Sequence, residues 1–165
     1  MSKEGTVHEV PMAAAKLSHL IATTIEDIDD PYGNDNEVQE VIDDDHEIPL
    51  PNISDVVLTK IIEYCNHYTI VEAMTAIETP LQSIKIEELV QSWYADFVAE
   101  TDHEVLFELV TASNFMDIKP LLDLTCLAVS SVIKGQTCQN LRQMFDSDDL
   151  TPEEETQVRV VVAVL

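Results

Sequence analysis

One stretch of the sequence carries charge of a single sign and limits what the chain can fold into. Residues 26–47 contain 11 Asp and Glu side chains and no Lys or Arg. Charges of one sign at this density repel one another and resist packing, so most of the stretch is expected to be a solvated acidic loop. Carboxylates also bind calcium, but the glycine and glutamate spacing of an EF-hand is absent. A plain acidic loop is therefore favoured over a metal site.

Acidic side chains outnumber basic ones in the chain as a whole, which limits the kinds of partner it can bind. With 8 basic and 32 acidic side chains in 165 residues, the formal net charge is −24. Phosphate groups would be repelled, so neither nucleic acid nor an anionic membrane surface is expected to bind. No apolar run approaches the roughly 20 residues of a membrane span, and the first residues lack the apolar core of a signal peptide. The 45% hydrophobic content is nevertheless enough for a folded core of one domain or two small ones.

Two strands and two helices are predicted in the first half. Apolar and polar residues alternate over 6–10, which predicts a short strand. Residues 46–52 are expected to form an edge strand, because two prolines remove hydrogen-bond donors there. Ser18 is expected to cap an amphipathic helix, and Ser54 a second one. The apolar face of the second helix comprises Leu58, Ile61, Ile62 and Cys65.

The second half predicts a series of helices, one with a wide apolar face. Residues 101–104 have the form of a capping box before a helix over 105–115, and Asp117 is expected to cap the next helix. That helix carries two neighbouring apolar stripes, Leu121/Leu124/Ala128/Val132 and Leu122/Cys126/Val129/Ile133. One stripe would suffice for a core, so the second is either more core or a surface for a partner. Thr137 begins a short helix with Leu141, Met144 and Phe145 on its inner side, and residues 151–154 form another helix start.

No pattern in the sequence indicates catalysis. The histidines lack ligand spacing, the glycines are too few for a phosphate loop, and nucleophile motifs are absent. The chain is expected to be no enzyme, with no metal and no cofactor. Its three cysteines (Cys65, Cys126 and Cys138) are widely spaced, which speaks against a disulfide framework and for the reducing cytoplasm or nucleus. Cys65 lies among apolar residues and is interpreted as a packing residue.

Several contiguous motifs resemble one family. They are LFELVTASNFMDIKPLLDLTC at 106–126, VIKG at 132–135, TPEEETQVR at 151–159 and IPLPNI at 48–53. Together they resemble the Skp family, the adaptor subunits of Skp–cullin–F-box (SCF) ubiquitin ligases. The similarity covers roughly residues 5–159.

The resemblance implies an α/β (α+β) fold, with a BTB/POZ-like N-terminal region followed by an all-helical, F-box-binding C-terminal region. The expected divisions are 1–73 with the acidic loop 26–47, a linker over 74–85, and helices over 86–165. Asn114 and Phe115 match the cullin-binding pair of the family. The F-box-binding residues implied are Leu122, Cys126, Val129, Ile133, Leu141, Met144 and Phe145. The expected partners are thus F-box proteins and a cullin.

Three departures from the family leave alternatives open. The chain begins near the family's first hairpin turn, residues 70–84 are more apolar than the usual linker, and 160–165 are rich in valine. The alternatives are a BTB/POZ-like homo-oligomer, or a divergent paralogue that binds F-box proteins without a cullin. A weak homodimer is a further form of assembly left open.

Overall fold

The computed structural model describes residues 1–29, 47–78, 81, 83, 85–134 and 136–144. Within these ranges the α-helices are α1 (Met12–Ala15), α2 (His19–Asp29), α3 (Asp55–Asn66), α4 (Ser92–Ala99), α5 (His103–Phe115), α6 (Lys119–Ile133) and α7 (Cys138–Met144). A π-helical turn over His67–Val71 extends α3, and a 3-10 turn over Ile86–Glu88 precedes α4. The chain divides into two compact units, Met1–Ser131 and Val132–Leu165. The predicted boundaries around a 74–85 linker stay a prediction.

The prediction of an α/β fold is wrong, since the described residues are helical and none of them lies in a strand. Over 6–10 the alternation does not produce a buried face, because Val7 is exposed. In the segment predicted as an edge strand, Leu50 N–H donates to Met1 O at 2.8 Å. Lys3 N–H donates to Ile53 O at 2.8 Å. The Met1 amino group also donates to Ile48 O at 2.8 Å, but Pro49 and Pro51 have no N–H to donate, and these few bonds do not extend into a strand ladder.

Helix starts lie close to where the sequence predicts them, but the caps expected from Ser54 and Thr101 are not formed. Ser18 caps α2 as expected, accepting a hydrogen bond from Ile21 N–H at 3.2 Å. Ser54 precedes α3, yet its hydroxyl donates to Glu108 Oε2 on α5 at 3.0 Å. Thr101 does not cap α5, which has Asp102 at its cap position, and the buried Thr101 hydroxyl donates to Phe97 O of α4 at 2.6 Å. The partner of Ser54 is brought near only by the tertiary structure, and local spacing does not reveal it.

The core of the first unit lies where α3 packs against α5 and α1. Side chains at helical spacing supply it, as the apolar periodicity predicts. Its largest fully buried apolar members are Val57, Ile61, Tyr64, Tyr94, Leu106, Leu109, Ile118, Leu121 and Leu124. Of the face predicted for α3, Leu58, Ile61 and Cys65 are buried, and Ile62 is half-buried.

Aromatic side chains join α3 to α4. The ring of Tyr64 lies 5.5 Å from that of Tyr94 and 5.9 Å from that of Phe97. The Tyr94 hydroxyl donates to Glu72 O, and Gln91 Nε2 donates to Ala73 O at 2.9 Å. The chain that follows α3 is therefore tied back to α4 by side-chain hydrogen bonds.

A hydrogen bond between His8 and Asp55 at the start of α3 makes stability depend on pH. His8 Nε2 lies 2.6 Å from Asp55 Oδ1, and this hydrogen bond lowers the pKa of the Asp55 carboxyl below 3.8, although burial opposes the shift. A lowered pKa in the folded state means that the ionised carboxylate stabilises the fold. This contribution is present above about pH 3.8 and is lost as the pH falls through the folded pKa.

We therefore expect Asp55→Asn to lower the urea midpoint at pH 7, and the difference from wild type to shrink as the pH falls below about 3.8 and through the folded pKa. Asp96→Asn, which removes an exposed carboxylate on α4, is the matched control and should change the midpoint little at either pH. A difference between wild type and Asp55→Asn that is independent of pH would contradict the role given to the hydrogen bond between His8 and Asp55.

Candidate functional site

Asn114 and Phe115 are the last two residues of α5 and lie at the surface, directly before the turn that leads to α6. Asp117 adopts a left-handed conformation (φ 50°), which ends α5 and redirects the chain. Ile118 N–H donates to Ser113 O at 3.0 Å, which closes the turn. Met116 and Ile118 are buried and anchor the turn in the core, whereas Asn114 is exposed and Phe115 is 45% exposed.

A shallow depression of about 430 Å³ lies beside Phe115. It is lined by Lys3, Asn52, Ile53, Ser54, Val57, Glu108, Thr111, Ala112 and Phe115. Hydrogen bonds hold its walls together, since Lys3 N–H is bonded to Ile53 O and the Ser54 hydroxyl to Glu108 Oε2. An exposed aromatic ring beside a preformed depression is the kind of surface that a protein partner covers.

The two apolar stripes of α6 differ in burial. Leu121, Leu124 and Ala128 are buried in the core of the first unit. On the neighbouring stripe Leu122 and Val129 are half-buried, and Cys126 is exposed. We call these three residues the outer stripe. The inner stripe supplies the core, whereas the outer stripe is buried only in part.

The remaining F-box-binding residues implied by the resemblance belong to the second unit. Ile133 ends α6 and is half-buried, as are Leu141 and Met144 on α7. Thr137 caps α7 as predicted, accepting from Asn140 N–H at 3.2 Å. Phe145 and the helix start predicted at 151–154 lie outside the described residues. The role of these residues toward an F-box stays a prediction.

No pattern in the sequence indicates the depression. Lys3, Ile53 and Glu108 are far apart in the chain, and each has an unremarkable local environment. Only the packing of α3 against α5, together with the N-terminal segment, brings them beside Phe115. Ser18 was predicted as a helix cap, but no local pattern could reveal its second partner, the carbonyl of Met116 98 residues away.

The described part of the chain contains neither a metal-binding cluster nor a membrane-spanning helix. No group of three or more His, Cys, Asp or Glu side chains there is placed to hold a metal ion. The acidic stretch considered for calcium lies mostly outside the described residues. Among the described helices, none has the length and apolar character needed to cross a membrane.

Two models of known protein families match the sequence of this chain. Residues 1–70 match the model of the Skp1 family tetramerisation domain, and residues 119–160 match that of the Skp1 family dimerisation domain.

Three curated relatives align along nearly the whole chain. The "S-phase kinase-associated protein 1 homolog" of Tetrahymena thermophila is 38% identical over 96% of this chain and 87% of that protein. The "SKP1-like protein 1A" of Arabidopsis thaliana is 37% identical, and the "E3 ubiquitin ligase complex SCF subunit sconC" of Emericella nidulans is 35% identical. Each of these two alignments covers 96% of this chain and 89% of the relative. The chain therefore belongs to the Skp1 family.

Proposed function

We propose that this protein is an adaptor subunit of an SCF-type E3 ubiquitin ligase, which bridges F-box substrate receptors to a cullin. In this proposal Asn114 and Phe115 bind the cullin. The F-box is bound by the outer stripe together with Ile133, Leu141, Met144 and Phe145. The relative from Emericella nidulans, named as a subunit of an SCF complex, supports the assignment to this assembly.

The observation that carries the proposal is the presence of two apolar features at the surface of one compact unit. Phe115 is exposed at the end of α5, and α6 begins at Lys119 and carries the half-buried to exposed outer stripe away from Phe115. A short turn anchored by the buried Met116 and Ile118 joins the two features, so partners bound to each would be held at a fixed separation. Fixing the separation of two partners raises the effective concentration of one for the other, which is what an adaptor contributes.

The adaptor needs no chemistry of its own. We propose that it is not catalytic and binds no cofactor, and that it acts in the cytoplasm and nucleus. The net charge of −24 supports partners other than nucleic acid or anionic membranes. Binding to proteins through apolar surfaces depends less on long-range charge, because contacts at short range dominate it.

Chemical labelling of Cys65 and Cys126, both in the first unit, can test whether the outer stripe binds the F-box. Burial raises the pKa of the Cys65 thiol to about 12, so this thiol stays protonated and inaccessible, whereas Cys126 is exposed on the outer stripe. We expect iodoacetamide to alkylate Cys126 of the native protein quickly and Cys65 only after unfolding. Bound F-box peptide should slow alkylation of Cys126 at least about tenfold, as mass spectrometry of the tryptic peptides would show. Unchanged alkylation of Cys126 in the saturated complex would contradict the assignment of the outer stripe.

A pull-down with the N-terminal region of a cullin tests the cullin side. The adaptor proposal predicts that this region retains the protein both alone and in complex with an F-box peptide. If the protein binds the F-box peptide but is not retained by the cullin region, it is an F-box-binding protein without an adaptor role, and the proposal fails.

A further inference from the structure

The hydroxyl of Ser18 connects α2 to the turn that directly follows Asn114 and Phe115. It donates a hydrogen bond to Met116 O at 2.6 Å and accepts one from Ile21 N–H at 3.2 Å. Ser18 is only 1% exposed, so water does not compete for these bonds. One buried hydroxyl thus serves both the cap of α2 and the carbonyl next to Phe115.

Backbone hydrogen bonds strengthen the same connection. His19 N–H donates to Asp117 O at 3.3 Å, and Leu20 N–H lies 3.4 Å from Met116 O. A helix start leaves N–H groups without partners inside the helix, and a turn after a helix leaves carbonyls without partners. Here the start of α2 and the turn after α5 satisfy each other.

These bonds act on a stretch of backbone that needs support. Asp117 has a φ of 50°, a backbone conformation that residues other than glycine rarely adopt. The carbonyls of Met116 and Asp117 lie on either side of the Asp117 Cα and accept bonds from α2, which restricts rotation there. Phe115 directly precedes Met116, so the surface around its exposed ring depends on the position of the turn.

We propose that Ser18 is a positioning residue for the cullin-binding turn, acting through the carbonyl of Met116. This inference rests on the proposed function, because it assigns a task to Ser18 in cullin binding. Without the hydroxyl, Met116 O keeps only the long bond from Leu20, and Ile21 N–H loses its cap. The turn then samples more orientations, and the cullin selects only a fraction of them.

The test compares Ser18→Ala with wild type in binding to the cullin N-terminal region and to an F-box peptide. We expect cullin affinity to fall about tenfold, F-box affinity to stay within about twofold, and amide hydrogen exchange at residues 116–118 to become faster. Ser18→Thr, which keeps the hydroxyl, should restore most of the cullin affinity.

Thr24→Ala is the matched control, because its hydroxyl donates to Leu20 O within α2 at 2.7 Å rather than to the turn. It should leave cullin affinity and exchange at 116–118 unchanged. Equal losses of cullin and F-box binding in Ser18→Ala, or collapse of its helical circular dichroism, would overturn the inference, because the hydroxyl would then hold the whole fold. If wild type fails to bind the cullin region, the proposed function fails. Exchange at 116–118 would then decide whether Ser18 holds the turn.

Discussion

Replacing Asn114 and Phe115 together by lysine is expected to abolish cullin binding and leave F-box binding intact. Asn114 is exposed and Phe115 is 45% exposed beside a depression, so both side chains can be changed without opening the core. In the complex, two lysines would be buried against a surface that offers them no counter-charge. The cost is about 3 kcal/mol or more, which weakens binding at least about 100-fold. Isothermal titration of the cullin N-terminal region into wild type and variant measures this loss of affinity.

Ile70→Lys with Val71→Lys is the matched control for this pair. These side chains are 68% and 70% exposed, so the control adds the same two charges at another exposed apolar pair. It should leave cullin affinity within about twofold of wild type. If both double variants lose cullin binding equally, the effect comes from net charge, and the assignment of Asn114 and Phe115 is wrong. Loss of F-box binding in the first variant would show a damaged fold.

The second large effect is expected for Val129→Asp on the outer stripe. Val129 is half-buried in the free protein, so the carboxylate can reach water there, but an F-box packed over the stripe would remove that water. An unpaired carboxylate in such an interface costs roughly 2–4 kcal/mol, or about 30- to 700-fold in affinity. Titration with an F-box peptide measures the loss, and circular dichroism of the free variant should match wild type.

Ser130→Asp controls for the added charge, since Ser130 is the next residue of α6 and is exposed. It should bind the F-box peptide nearly as well as wild type. A Val129→Asp variant that unfolds on its own would mean that the outer stripe belongs to the core. Full F-box affinity in a folded Val129→Asp variant would remove the stripe from the interface.

Apolar periodicity predicted neither α1 nor α4, but it did predict α2, α3, α5, α6 and α7, because burying one face of a helix requires only local spacing. The two stripes of α6 illustrate this, since Leu121, Leu124 and Ala128 are buried while Cys126 on the other stripe is exposed. The strand predicted from the alternation over 6–10 was wrong, because strand formation does not depend on local spacing alone. A strand exists only if a neighbour accepts its hydrogen bonds, and no local pattern reveals whether that neighbour is there.

The candidate site was predictable only in part. The resemblance to the Skp family identified Asn114 and Phe115, and the turn in the structure explains why both lie at the surface. The contacts behind the turn were not predictable, because Ser18 and Met116 are 98 residues apart and meet only in the folded chain. The Ser54 hydroxyl likewise bonds to Glu108, 54 residues away, in place of a local cap.

The most direct test of the adaptor role is the mass of the complex formed from three components. Equimolar F-box protein, this protein and the cullin N-terminal region would be separated by size-exclusion chromatography with light scattering. An adaptor predicts one species with the summed mass of all three, and no complex of F-box protein with cullin when this protein is left out. If the F-box protein and the cullin instead displace each other from this protein, the two surfaces overlap, and the bridging role is contradicted.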